Sequence, residues 1–303
     1  MGVKIKQIIE DLCLEVIFKG NLEKEIDTSD VNRPGLQFAG YYDYFGEKRL
    51  QVLGMAEWSY LDKMSYKIRE DRLNEFCSFD LPCIILSRNL EPHYELLKEC
   101  KRYNIPLLRS DKVTTRLISK LMHYLDRELA MTTVIHGVLA DIHGLGIMIT
   151  GKSGIGKSET ALELIKRGHR LVTDDAVNIK KIDDILYGSS PDITKGMLEV
   201  RGVGIIDVSS LYGLSSIIEE KPIDLVIELE QWDDSKSYER LGVNEEFIDI
   251  LGTKVKQITL PIRPGRNLAI IIETAAVNYR YQMVSKESPV DIIERRMQEI
   301  NNR

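Results

Sequence analysis

Residues 151–158 read GKSGIGKS and match the phosphate-binding pattern GxxxxGK[ST]. Glycines in such a loop let the backbone wrap so that several N–H groups point at phosphate oxygens. Lys157 would then reach the β- and γ-phosphates of a nucleotide, and the hydroxyl of Ser158 would ligate Mg²⁺. The sequence therefore predicts a nucleotide site, formed by Gly151, Lys152, Ser153, Gly154, Ile155, Gly156, Lys157 and Ser158.

Two adjacent acids, Asp174 and Asp175, follow the short apolar run of Leu171 and Val172. Ligands of an open α/β sheet bind beyond the carboxyl ends of its strands, so these acids are predicted to lie near the phosphates. One can face the metal while the other faces the acceptor, where a carboxylate could take the proton of an attacking hydroxyl. A turn with two solvated acids is the alternative.

Several other polar residues are candidates with open alternatives. His136 begins the segment HGVLADIHGLG, and the strand register decides whether it reaches the phosphate end or serves as a structural histidine. Glu199 and Arg201 precede a predicted buried strand in LEVRGVGIID and suit either a second wall of the site or a surface ion pair. Glu228 ends the apolar run IDLVIE and is a rival ligand for the metal.

Two basic clusters occur later in the chain. Arg240 lies in YERLG, and Arg263 and Arg266 lie in PIRPGRN just before an apolar helix. Guanidinium groups ahead of a helix N-terminus suit phosphate oxyanions, although arginine pairs are equally ordinary in surface loops.

The elements around these residues are predicted from apolar periodicity. A strand over residues 147–150 precedes the glycine loop, a helix over 158–167 follows it, and a turn over 141–144 makes the upstream segment a hairpin. Residues 188–196 are predicted to form a flexible loop. A last helix begins at Ser288 and Pro289 and places Val290, Ile293, Met297 and Ile300 along one side.

The first 130 residues favour a separate α/β domain. Strands over residues 82–87 and 105–109, with a helix over 91–104 between them, form a predicted βαβ unit, and a further amphipathic helix contains Leu117, Leu121 and Leu125. The predicted boundary near residues 129–133 gives an N-terminal domain, 1–130, and a catalytic domain, 131–303. The role of the first is not indicated by any catalytic pattern.

Composition is that of an ordinary folded protein. The 303 residues are 43% hydrophobic and 29% charged, and 41 basic against 47 acidic side chains give a net charge of -6, which provides no overall attraction for nucleic acid or anionic membranes. We expect a cytoplasmic protein without a membrane span. Cys13, Cys77, Cys83 and Cys100 lack CxxC spacing, so buried thiols are predicted rather than a zinc or disulfide framework.

The segments HGVL, GKSGIGKSE, ALELIKRGHRLVTDDAV, LEVRGVGIID, YERLG and PIRPGRN occur in this order. In them the chain resembles the bifunctional HPr kinase/phosphorylase family of bacterial sensor enzymes, which phosphorylate a serine of the phosphocarrier protein HPr and regulate carbon catabolite repression. The resemblance implies an α/β protein with an N-terminal α/β domain, a C-terminal P-loop kinase domain like the nucleotide fold of phosphoenolpyruvate carboxykinase, and a homohexamer. Lys152 departs from the acid that is frequent at that loop position.

The resemblance also implies roles for individual residues. It places His136, Lys157, Asp175 and Arg240 in the active site, and Ser158 and Glu199, rather than Glu228, on Mg²⁺. Asp175 would be the general base toward the HPr serine and the acid in the reverse reaction, in which inorganic phosphate attacks phosphoseryl-HPr and gives pyrophosphate. Dephosphorylation would depend mainly on Pro261, Ile262, Arg263, Pro264, Gly265 and Arg266. ATP, with pyrophosphate as a further donor, and a fructose 1,6-bisphosphate effector are implied as ligands.

Two other classes of P-loop protein compete with this interpretation. A small-molecule kinase would share the loop and the base, and a nucleotide-dependent switch would share the loop. The sequence contains neither the NKxD string of a GTPase nor the LSGGQ string of a transporter ATPase.

Overall fold

The computed structural model describes residues 2–235, 245–263, 265–285 and 289–301. The chain divides into two compact units, Met1–Ala130 and Met131–Arg303. In the parts of the chain that are described, no helix combines the length and the apolar character that crossing a bilayer requires.

The first unit is a small α/β structure. Its elements are β1 Val3–Lys4, α1 Ile5–Leu12, β2 Glu15–Phe18, β3 Glu25–Ile26, β4 Val31–Asn32, α2 Gly35–Phe38, β5 Leu50–Leu53, α3 Met55–Asp62, α4 Tyr66–Cys77, β6 Ile84–Leu86, α5 Tyr94–Arg102, β7 Leu107–Arg109 and α6 Thr114–Glu128. A sheet of order β2-β7-β6-β5-β4 is parallel except for β2. The predicted βαβ unit is confirmed as β6, α5 and β7.

Three of the four cysteines are buried as predicted, and one is not. Cys77, Cys83 and Cys100 have no exposed surface, and burial raises the pKa of the Cys83 thiol. Cys13 is exposed because it follows α1 in the left-handed conformation, with φ 54°, and so ends that helix at the surface.

The second unit holds every candidate residue of the nucleotide site. Its strands are β8 Met131–His136, β9 Val138–Ile142, β10 Leu145–Gly151, β11 Arg170–Thr173, β12 Ala176–Ile182, β13 Ile185–Ser189, β14 Met197–Val200, β15 Gly204–Asp207, β16 Glu220–Pro222, β17 Leu225–Gln231, β18 Glu246–Ile250 and β19 Thr253–Ile262. Its helices are α7 Lys157–Lys166, α8 Val208–Tyr212, α9 Leu268–Val284 and α10 Pro289–Asn301, with 3₁₀ turns at Asp192–Thr194 and Leu214–Ser216.

Among the described strands, the main sheet has the order β11-β9-β10-β17-β19-β18, and a second sheet has the order β16-β13-β12-β8. Successive residues of a strand point to opposite faces. On β10, Ile147 and Ile149 pack toward α7 and α9, whereas Met148 packs toward the second sheet with Val177 and Leu186. The main sheet is therefore buried on both faces, between a helix layer and a second sheet, which explains its near-continuous apolar strands.

Two antiparallel strands pass together from one sheet into the other. β9 pairs with β11 in the main sheet, and β8 pairs with β12 in the second, with Ala176 opposite His136. We call residues 136–138 and 173–176 the sheet crossing. The bend needs glycine at 137, because a Cβ there would lie 2.7 Å from the carbonyl oxygen of Ile149.

The structure corrects three local predictions. Residues 204–207 form a strand, but it is exposed: among the described strands β15 pairs only with β14, in a hairpin apart from both sheets, and Ile205 is 74% exposed. The predicted loop over 188–196 begins later, because β13 continues to Ser189 and a 3₁₀ turn covers Asp192–Thr194. Glu228 does not end its strand, because β17 runs from Leu225 to Gln231.

A close backbone approach at the start of β10 predicts a measurable stability loss. The amide of Gly146 donates to Asp224 Oδ2 over 2.7 Å, and a Cβ at Gly146 would lie 1.8 Å from the carbonyl oxygen of Pro222. Gly146→Ala should lower the free energy of unfolding by about 2 kcal/mol and the melting temperature by roughly 4–8 °C, measured by calorimetry.

Gly35→Ala is the control, because the nearest atom to its added Cβ is Glu57 Oε1 at 3.9 Å. It should leave the melting temperature unchanged or slightly higher. An unchanged melting temperature for Gly146→Ala would contradict the close approach.

Candidate active site

The glycine loop connects β10 to α7 as the sequence predicts. Gly151, Gly154 and Gly156 all have positive φ, at 134°, 79° and 102°, and Gly156 is the N-cap of α7. A Cβ at Gly151 would lie 2.5 Å from the carbonyl oxygen of Leu229 on the parallel neighbour β17. The glycines are thus required by backbone conformation and close approach, and the loop presents the N-terminus of α7 to an anion.

Lys157 and Thr160 interact with the loop itself. The ammonium of Lys157 donates to the carbonyl oxygens of Gly151 at 3.0 Å and Lys152 at 3.3 Å, and the hydroxyl of Thr160 donates to the oxygen of Gly156 at 2.7 Å. Lys157 is therefore held over the loop by two neutral acceptors. A phosphate would give its ammonium a charged acceptor instead, which is the stronger partner.

Asp174 ties three segments together below the loop. Only 5% of this residue is exposed; its Oδ1 accepts a hydrogen bond from Ser158 Oγ at 3.0 Å, and its Oδ2 accepts one from the backbone N–H of Glu199 at 3.0 Å. Burial raises the pKa of the Asp174 carboxyl, and the two hydrogen bonds only partly oppose this. A carboxylate and a hydroxyl oxygen held this close form a hard oxygen donor set, which fits Mg²⁺.

Asp175 has the opposite environment. Its side chain is 82% exposed, and its φ of 69° is left-handed, a conformation that aspartate tolerates better than most residues. Nδ1 of His136, whose side chain is 85% exposed, lies 3.2 Å from the carbonyl oxygen of Asp175 and 3.8 Å from its Oδ1. Because a carbonyl only accepts, Nδ1 carries the hydrogen, and the imidazole faces the carboxylate as a donor.

The β14–β15 hairpin contributes one side of the site. Its backbone contacts Asp174 through Glu199, whose side chain is exposed, and its Arg201 lies against the loop, 3.5 Å from Ser153 Oγ. A Cβ at Gly154 would lie 2.7 Å from Nη1 of Arg201. The structure therefore brings Arg201 and the Glu199 backbone to the loop, in agreement with a second wall of the site.

The PIRPGRN segment lies at the same edge of the main sheet. β17 and β19 run parallel to β10, and their carboxyl ends coincide with the start of the loop. The guanidinium carbon of Arg263 lies 3.5 Å from the ring centre of Trp232, and its Nη2 donates to Asp234 at 3.3 Å. Arg266 donates to the oxygen of Pro261 at 3.3 Å. Pro264 and Arg240 lie outside the described residues, so their predicted roles stay predictions.

Glu228 is hydrogen-bonded to a residue of a neighbouring strand. It is in the middle of β17 opposite Thr150, and its Oε2 accepts a hydrogen bond of 2.7 Å from the side-chain amide of Gln257 on β19. The residue that the sequence left unassigned is Asp174, which takes the place next to Ser158. The adjacent pair of acids was the available signal, but spacing alone did not show which of the two is buried.

Comparison with known proteins covers both units. The family model described as HPr Serine kinase N terminus matches residues 3–125, and the model described as HPr Serine kinase C-terminal domain matches residues 127–296. An HPr kinase/phosphorylase of Clostridium beijerinckii is 59% identical over 100% of both chains. One of Clostridium perfringens is 62% identical over 99% of this chain and 97% of the relative.

A solved structure is also similar. The HPr(Ser) kinase/phosphatase from Coxiella burnetii shares 38% identity, with a TM-score of 0.47, over 50% of this chain and 92% of that one. The two family models together extend over nearly the whole chain, and so does each of the two clostridial relatives. The chain therefore belongs to the HPr Serine kinase family.

Proposed function

We propose that this protein phosphorylates a serine of HPr with ATP and, in the reverse direction, dephosphorylates phosphoseryl-HPr with inorganic phosphate to give pyrophosphate. One observation carries the proposal: two adjacent carboxylates have separate partners. Asp174 is buried on Ser158 of the phosphate loop, while Asp175 is exposed beside His136. Phosphoryl transfer to a hydroxyl uses this division between a metal-side acid and an accessible base.

In the forward direction Asp175 accepts the proton of the serine hydroxyl as the serine oxygen attacks the γ-phosphorus, and the bond from that phosphorus to the β,γ-bridging oxygen breaks to release ADP. His136 positions that carboxylate, since its Nδ1–H faces both the carbonyl and Oδ1 of Asp175. Lys157 and the loop N–H groups stabilise the charge on the phosphoryl oxygens, and Arg201 beside Ser153 adds a second cation at the loop.

In the reverse direction the same carboxyl, now protonated, returns the proton to the serine oxygen as the bond from that oxygen to phosphorus breaks. Inorganic phosphate in the loop attacks the phosphorus and forms the new P–O–P bond of pyrophosphate. The exposure of Asp175 supports this assignment, because a phosphoserine on another protein has to reach it. Arg263, paired with Asp234 and stacked on Trp232, is proposed to serve mainly this direction, together with the rest of residues 261–266.

Mg²⁺ is proposed to bind between Ser158 and the nucleotide phosphates, where it would neutralise charge on the β- and γ-oxygens. Asp174 orients the Ser158 hydroxyl, and the exposed side chain of Glu199 is the proposed second protein ligand. We assign catalysis to residues 131–303. The homohexamer, the fructose 1,6-bisphosphate effector and pyrophosphate as a donor stay predictions of the family resemblance, and the cytoplasmic location stays a prediction of the sequence.

Asp175→Asn should abolish phosphate transfer to HPr while nucleotide binding is kept. Asparagine tolerates the left-handed backbone at this position but cannot accept the serine proton. The measurement is the mass of HPr after incubation with ATP and Mg²⁺, together with pyrophosphate release when phosphoseryl-HPr and phosphate are supplied. Both directions should lose at least about a hundredfold in rate, the scale of general base catalysis.

Asp183→Asn is the matched control, because Asp183 is also exposed and left-handed, with φ 48°, in the β12–β13 turn. It should transfer phosphate at the parental rate. Parental transfer by Asp175→Asn would overturn the base assignment, and absence of transfer to HPr by the unaltered chain would overturn the proposed substrate in favour of a small-molecule acceptor or a switch.

Asp174→Asn should weaken metal-dependent nucleotide binding and at the same time raise the stability of the metal-free protein. Asparagine can keep both contacts, accepting from Glu199 N–H and donating to Ser158 Oγ, but it carries no charge. Affinity for ATP with Mg²⁺, measured by calorimetric titration, should fall at least about tenfold, as for losses around metal ligands.

The melting temperature of metal-free Asp174→Asn should instead rise at neutral pH. The pKa of the Asp174 carboxyl is raised in the folded state, so its ionisation costs stability above that pKa and costs none below the unfolded value. The gain should therefore be largest at neutral pH and disappear as the pH falls through the folded pKa. Melting curves across this range measure it.

Asp224→Asn is the control for this pair of effects. Burial also raises the pKa of Asp224, but this carboxyl accepts from the amide of Gly146 and has no contact with the loop. It should show the same pH-dependent gain in melting temperature with unchanged affinity for ATP and Mg²⁺. Equal losses of affinity in both variants would contradict the specific role of Asp174.

A further inference from the structure

A second cluster of potential ligands lies at the other end of the main sheet. His143 is in the turn between β9 and β10, His169 lies between α7 and β11, and Glu273 is on α9. One ligand atom from each of the three side chains lies within 4.8 Å of the other two. The turn is at the amino end of β10, whereas the phosphate loop follows its carboxyl end, so this cluster is separate from the nucleotide site.

We infer that His143, His169 and Glu273 form a binding site for a divalent transition-metal cation of the Zn²⁺ class. Two imidazoles and a carboxylate are a donor set that suits Zn²⁺, whereas Mg²⁺ and Ca²⁺ prefer all-oxygen ligands. The inference is independent of the proposed phosphate transfer and concerns residues to which that reaction assigns no role.

Two of the three ligands are already held together. Nε2 of His169 lies 2.8 Å from Oε1 of Glu273, and His169 is buried, with 7% of its surface exposed. Two ligands on one tetrahedral Zn²⁺ lie about 3.3 Å apart, given bond lengths near 2.0 Å. A cation can thus enter between these atoms with a movement of a few tenths of an ångström, provided that the Nε2 hydrogen of His169 is relocated to Nδ1.

The carboxylate is oriented by a neighbour. Nη1 of Arg167 lies 3.0 Å from Oε2 of Glu273, the oxygen that does not contact His169, and Arg167 also pairs with Glu163. Each oxygen of the Glu273 carboxylate therefore has a partner, with His169 on Oε1 and Arg167 on Oε2. Hydrogen-bond partners such as Arg167 orient the side chains that ligate a metal ion, and here Arg167 leaves Oε1 of Glu273 for the cation.

His143 supplies the accessible side of the site. Its ring centre lies 4.7 Å from that of His169 with the two planes nearly perpendicular, at 84°. Its carbonyl accepts a hydrogen bond of 3.0 Å from Arg280, which fixes the turn backbone while the side chain stays exposed. Rotation of this exposed ring is enough to bring a nitrogen onto a cation held by the other two ligands.

An open volume lies next to two of the three ligands, His143 and Glu273. A cavity of about 560 Å³ is lined by His143, Glu273, Thr274, Val277, Asn278 and Tyr281. Three protein ligands with an open fourth position can hold a water molecule or a small anion on the cation. The cavity therefore gives the cation an entry path from solvent.

The test uses the full-length chain with Zn²⁺ alone, in excess Mg²⁺ so that oxygen-rich sites are occupied. Zn²⁺ affinity is measured by competition with a coloured chelator, and Co²⁺ substitution is followed by its visible absorption, which is strong for tetrahedral sites. We expect the parental chain to bind one Zn²⁺ at this site and to give the tetrahedral Co²⁺ spectrum.

His143→Asn removes one ligand and should leave the fold intact, because the residue is exposed and asparagine tolerates its φ of 52°. It should weaken Zn²⁺ binding at least about tenfold and abolish the tetrahedral Co²⁺ spectrum. His123→Asn, the control, removes another exposed histidine, on α6, and should change neither the Zn²⁺ affinity nor the Co²⁺ spectrum. Parental affinity and spectrum in His143→Asn, or no Zn²⁺ binding by the parental chain, would overturn the inference.

Discussion

The amide of Gly137 donates a hydrogen bond of 3.0 Å to the carbonyl oxygen of Asp175, at the point where two paired strands leave the main sheet for the second sheet. The same carbonyl faces Nδ1 of His136. This contact holds the sheet crossing closed, because each strand bends there and neither can straighten without losing its partner. The position of His136 and of both acids relative to the phosphate loop follows from it.

The sheet crossing also gives the neighbouring residues Asp174 and Asp175 different environments. Asp174 and Asp175 form the bend between β11 and β12, where Asp174 points inward to Ser158 and Asp175 points outward. The left-handed φ at Asp175 then turns the chain into β12. A buried acid and an exposed acid thus follow from one bend, although the two residues share a peptide bond.

The sequence was sufficient wherever a local pattern determines structure. The glycine loop, its strand and helix, and the β9–β10 hairpin follow from turn chemistry and apolar spacing within about 30 residues. Residues whose partners lie far along the chain were beyond such reasoning. Local spacing could not show that the side-chain amide of Gln257, 29 residues later, donates to the carboxylate of Glu228. β15 is exposed because no third described strand pairs with the β14–β15 hairpin. The local sequence GIID does not predict this.

β11 joins the two polar clusters of the second unit. His169 immediately precedes this short strand, and Asp174 and Asp175 immediately follow it. α7 begins at the phosphate loop and ends just before His169, so the helix and the strand both run between the two ends. Any shift of His169 that accompanies cation binding would act on two elements whose other ends hold Ser158 and Asp174. Because Leu164 and Leu171 are fully buried in the core between them, such a shift would be transmitted by packed side chains rather than absorbed by a loop.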